Sequence, residues 1–113
     1  MRNEDLVRLR HMLEAAEEAI GLAEGKSRSD LDKDRLLNLS LVRLVEIVGE
    51  AASHISEERR GRTPQVPWQD IAGMRDRLVH AYFDVNMDIV WLTVIKFLPE
   101  LVLSLKGILD EYQ

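Results

Sequence analysis

The sequence has 113 residues, a net charge of −5 and no cysteine; that length holds one packed core and excludes a catalytic domain joined to a separate binding domain. The charge excludes a protein that grips nucleic acid through a bulk basic field, and the missing cysteines exclude a disulfide framework or a thiolate metal site. Aromatic residues are 5% of the chain against 31% charged, the balance of packed amphipathic helices rather than sheets.

Leu6, Leu9, Leu13, Ala16, Ile20 and Ala23 recur at spacings of three and four, which predicts a helix from Asn3 to Ala23, ended by Gly25 and Ser27 to Ser29. A second helix is expected to start at Asp30 or Asp32, where a carboxylate suits the exposed amides, and to run to Ser56. Its stripe of Leu37, Leu41, Leu44, Val48, Ala51 and Ile55 is widened by Leu39, Val42, Val45 and Ile47. A helix apolar on more than one face must be covered on more than one side, so this is the expected central element.

Glu57 to Pro67, with Gly61, Pro64 and Pro67, reads as a loop. Its Arg59, Arg60 and Arg62 either are solvated or meet a phosphate backbone. A short helix follows Pro67, and Asp84, Val85 and Asn86 supply a turn, with Asn86 or Asp88 as cap of the last helix. That helix carries Val90, Val94, Phe97, Leu101, Leu105, Ile108 and Tyr112 at helical spacing, and Pro99 inside it predicts a kink. No repeat or linker interrupts the chain, so residues 1–113 are expected to form one domain. Nothing at the N-terminus reads as a signal peptide, and no apolar run approaches the ~18 residues of a membrane span. A cytoplasmic address with no membrane contact is the expectation.

The stretch from Gly73 to Tyr82 concentrates chemistry: Arg75, Asp76, His80 and Tyr82 fall together in a chain with three histidines and two tyrosines. Arginine forks onto phosphate oxygens and histidine exchanges protons near neutral pH, a pairing suited to phosphodiester chemistry. On one ideal helix Asp76 and His80 lie about 40° apart and Arg75 and Tyr82 about 20° apart, whereas Arg75 and His80 lie about 140° apart. Three arrangements bring the last pair to one phosphate: the helix end distorts, Arg75 reaches round on its long stem, or a second copy faces the first across a two-fold axis.

Outside this stretch, Glu46, Glu50, His54 and Glu57 form a polar line on the second helix. Di-iron bundles use Glu-x-x-His on two helices, and here the order is Glu-x-x-x-His on one, so no metal is expected and the line is read as facing the site. Trp68 and Trp91 are expected to fill gaps between helices rather than stack on bases.

Arg75-x4-His80-x-Tyr82, preceded by Pro67-Trp68 and Ile71-Ala72-Gly73-Met74 and followed by Ile89-Val90-Trp91 and Leu98-Pro99-Glu100-Leu101, resembles the HepT-like branch of the HEPN superfamily. The resemblance covers most of the chain and is strongest from Val66 to Leu101. It implies an all-α fold, an antiparallel four-helix-type bundle with an additional short helix, dimerising so that the motifs line a cleft. It also implies a metal-independent endoribonuclease toxin without cofactor, acting on RNA such as tRNA. Arg75 would stabilise charge on phosphorus, His80 would serve as acid or base, and Asp76 would orient the imidazole. The implied partner is a minimal nucleotidyltransferase antitoxin that transfers AMP to Tyr82 and builds a hetero-oligomer with the dimer. The rival reading is a non-catalytic helical subunit that binds and regulates that partner, which the acidic pI near 5.2 would suit.

Overall fold

The computed structural model describes residues 1–81 and 84–112, with residues 79–81 described as backbone. It is mainly helical: α1 (Asn3–Ala23), α2 (Asp30–Lys33), α3 (Arg35–Ser53), α4 (Glu57–Arg62), α5 (Trp68–Ala72), α6 (Met74–Leu78), α7 (Met87–Leu92) and α8 (Leu98–Asp110), with a π turn at Thr93–Phe97 joining the last two. Strands β1 (Val79–Ala81) and β2 (Asp84–Val85) pair antiparallel after α6.

The bounds of α1 are those the apolar spacing predicts. Its buried face is Leu9, Met12, Ala15, Ala16, Ala19 and Ala23, while Leu6, Leu13 and Ile20 sit at its margin. The alanines let α1 lie along α3, and its other flank meets α8. In α3 the predicted stripe is buried, Val45 joins it, and Leu39 is exposed.

Four expectations change in detail. The second helix is split, because the Asp34 carboxylate accepts the Leu37 amide at 3.1 Å and so caps α3 after the single turn of α2. The predicted loop after Ser56 begins as a helix, α4: Ser56 caps it by accepting the Arg59 amide, Glu57 and Glu58 occupy its first turn, and arginines occupy its last. Asp84 and Val85 are strand rather than turn, and Asn86 then caps α7 through the Ile89 amide. The irregularity demanded by Pro99 takes the form of the π turn, in which the Leu98 amide donates to the Thr93 carbonyl five residues back.

Among the described residues no helix is long and apolar enough to cross a membrane. Trp68 is buried and its indole N–H donates to the Thr63 carbonyl at 3.2 Å, while Trp91 is partly buried against the core. Both fill gaps between helices, as expected.

Candidate functional site

The segment that carries the motif is set against α3 by one close approach. Gly49 of α3 stands where a β-carbon would lie 3.0 Å from the Ile71 carbonyl oxygen of α5. A five-residue helix, α6, then follows Gly73. Met74 and Leu78, four apart, are buried, and between them Arg75, Asp76 and Arg77 are exposed. The apolar pair anchors the turn, and the three charged side chains are what it offers to solvent.

The helix ends at Leu78. Val79 and Val85 pair across the short hairpin, and the Asn86 amide donates to the Leu78 carbonyl at 2.8 Å, closing the segment. His80 therefore lies on β1 rather than on the helix that holds Arg75 and Asp76. This corrects the single-helix expectation: the angle of about 40° between Asp76 and His80 belongs to an ideal helix that the chain leaves two residues earlier. β-branched valines favour the extended backbone there. The helix end thus departs from ideal, and the angles of one ideal helix no longer relate Arg75 and Asp76 to the residues beyond Leu78. Tyr82 lies outside the described residues.

Arg75 is met from α3. Its Nε lies 3.6 Å from Glu46 Oε2, and the same oxygen lies 3.7 Å from Arg43 Nη1. The Glu46 side chain is only 20% exposed, against 58% for Arg75 and 70% for Arg43. Arg77 turns the other way, pairing with Asp70 at 3.6 Å and donating to the Asp70 carbonyl. Among the described residues Asp76 makes no ion pair or side-chain hydrogen bond. The contact between Glu46 and Arg75 is one that sequence reasoning missed. Its only signal was the polar line on α3, which the structure divides: Glu50 meets His54 at 3.2 Å just past the end of α3, and Glu57 opens α4.

The three arginines after Ser56 lie on α4 rather than on a loop, and two of them are engaged within the protein. Arg59 is buried, with its guanidinium 5.7 Å from the centre of the Tyr112 ring. Arg60 donates to the Ala52 and Ile55 carbonyls at the end of α3. Arg62 alone is exposed, and it pairs with Glu58.

The profile of the HepT-like ribonucleases matches residues 12–108, a span that includes α3, the whole motif and most of α8. The chain belongs to the HepT-like ribonuclease family. It is 44% identical over 103 residues to a protein of Caldanaerobacter subterraneus subsp. tengcongensis named as a candidate RNase, covering 91% of this chain and 92% of the relative. A Thermococcus cleftensis protein named as a probable ribonuclease HepT is 38% identical over 99 residues, covering 84% and 86%. A Methanocaldococcus jannaschii protein, also named as a candidate RNase, is 30% identical over 102 residues, covering 90% and 84%. No solved structure matches the chain. The expectation of an RNA-cleaving enzyme of the HEPN type agrees with this membership.

Proposed function

We propose that the chain is a metal-independent endoribonuclease toxin, acting as a homodimer at a cleft to which each copy brings the Arg75 to Tyr82 segment. The observation that carries this reading is the family match across the motif, supported by the exposed Arg75 on an anchored turn. RNA supplies its own nucleophile. The 2′-oxygen forms a bond to phosphorus as the bond to the 5′-oxygen breaks, leaving a 2′,3′-cyclic phosphate and a free 5′-hydroxyl. The protein must take the 2′ proton, give one to the departing oxygen, and stabilise charge on phosphorus. His80, one from each copy, performs the proton transfers; Arg75 meets the charge; Asp76 orients the imidazole.

The partner is a nucleotidyltransferase antitoxin. It would direct the Tyr82 oxygen onto the α-phosphorus of ATP, releasing pyrophosphate, with the phenolic proton passing to a base of the transferase. An AMP group beside Arg75 then occupies the cation that RNA would engage.

The test is cleavage of RNA by the purified chain, free of AMP, with light scattering to give its oligomeric state. His80→Ala and Arg75→Ala are each expected to lower the rate about 10²- to 10⁴-fold with helicity retained, and EDTA to change nothing. Full activity in either variant, or in a stable monomer, sinks the assignment. An unmodified chain that binds the transferase but cuts no RNA favours the regulatory subunit instead.

A further inference from the structure

Glu46 and Arg43 lie on α3, outside the motif, and neither has a role in the reaction just described. We infer that the RNA site extends onto α3, with Glu46 as a positioning residue for Arg75 and Arg43 as a second contact for substrate phosphate. The inference rests on the reading of Arg75 as the group that meets phosphate.

A largely buried carboxylate is costly to leave unpaired. Here it is flanked by two guanidinium groups that converge on one oxygen, Oε2. The trio keeps one net positive charge. Glu46 approaches Arg75 at Nε, so the edge formed by the two terminal nitrogens, which forks onto phosphate oxygens, is not taken by Glu46. A long side chain loses rotamer freedom when it binds. A fixed anion at its Nε removes part of that freedom before RNA arrives. Arg43 lies 3.7 Å from the same oxygen and is 70% exposed, so exchanging that solvent-screened pair for a phosphate costs little.

These roles have opposite signatures. Glu46 repels phosphate while it aims Arg75; in binding the lost repulsion offsets the lost ordering, whereas turnover feels only the loss of aim, so neutralising it lowers turnover without weakening binding. Removing Arg43 must weaken binding without lowering turnover. A residue needed only for folding would move both together.

The experiment uses the full chain free of AMP, one single-stranded RNA oligonucleotide for kcat and KM, and its 2′-O-methyl counterpart, which lacks the nucleophile, for binding across a salt series. Glu46→Gln is expected to lower kcat about ten- to a hundredfold, to bind the 2′-O-methyl strand equally or more tightly, and to have no further effect in an Arg75→Ala background. Arg43→Ala is expected to leave kcat unchanged, to weaken binding about two- to fivefold, and to reduce the log–log salt slope by about 0.7. Arg10→Ala, an exposed cation of α1, should alter neither slope nor rate.

The extension onto α3 is overturned if Glu46→Gln keeps full kcat, if it loses binding and melting temperature together, or if the salt slope of Arg43→Ala equals that of the unsubstituted chain. Should Arg75→Ala itself leave cleavage intact, the proposed function falls and this inference with it. If Arg75→Ala abolishes cleavage while both α3 variants behave as the unsubstituted chain, only the α3 assignment falls. A chain that cuts no RNA overturns the proposed activity, and the salt slope then decides the Arg43 contact alone.

Discussion

Gly49 and Ile71 meet so closely that a single added carbon on the first would lie 3.0 Å from the carbonyl oxygen of the second. That contact sets the distance between α3 and the segment carrying Arg75. Gly49→Ala gains up to about 1 kcal/mol in helix propensity but overpacks against backbone, at a cost of about 1–3 kcal/mol. The expected net result is destabilisation, with reduced RNA cleavage as α5 and α6 shift. Gly107→Ala on α8 has no atom within 4 Å of the added carbon and should stabilise by about 0.5–1 kcal/mol. Denaturant unfolding of the two variants should therefore give opposite signs; a matching sign would show that the approach is not limiting.

Asp5 ties α1 to the start of α4. It is 3% exposed and accepts the Ser56 amide at 2.9 Å and the Ser56 hydroxyl at 2.6 Å. Asp5→Ala strands both donors, for a loss of about 2–3 kcal/mol, or a fall in Tm of roughly ten degrees. Thermal unfolding checks it, and a change under about 2 °C would be too small for a bond that holds the two helices.

Arg60 and Arg62 are two apart in sequence and differ in work. Arg60 donates to Ala52 and Ile55 at 2.8 and 3.1 Å, so Arg60→Ala should cost about 1–2 kcal/mol and leave the affinity for RNA unchanged. Arg62→Ala breaks only an exposed pair and should cost less than about 0.5 kcal/mol. Equal stabilities for the two variants would contradict the capping role.

Co-expression with the transferase should add one or more AMP groups to Tyr82, read by intact-mass and peptide mass spectrometry. Tyr82→Phe should stay unmodified and escape neutralisation if it remains active. Modification confined to Tyr112, or undiminished neutralisation of an active Tyr82→Phe chain, would refute the acceptor assignment.

What the sequence made legible was local. The span of α1, the buried stripe of α3 and the cap at Asn86 follow from periodicity and capping chemistry within a few residues. The helix α4 was hidden by Gly61, Pro64 and the arginines, although Ser56 followed by two glutamates was a readable start. The break at Asp34 depended on one carboxylate folding back onto the amide of Leu37 rather than serving as a helical residue. Of the site, Arg75 stood out by its chemistry and the polar line of Glu46 was read as facing the site, but the approach of these two residues could not be read. Residues 46 and 75 share no period, and they meet because Gly49 lets two backbones approach.

The π turn gives the last helical rod two phases. Val90, Val94 and Leu98 are all buried at successive intervals of four, and eight residues of regular α-helix would overshoot two full turns by about 80°. Winding wider through Thr93–Phe97 absorbs that excess. The rod can therefore lean on α3 and α6 along α7 and on α1 along α8, serving two different neighbours as if it were two helices, without breaking the chain between them.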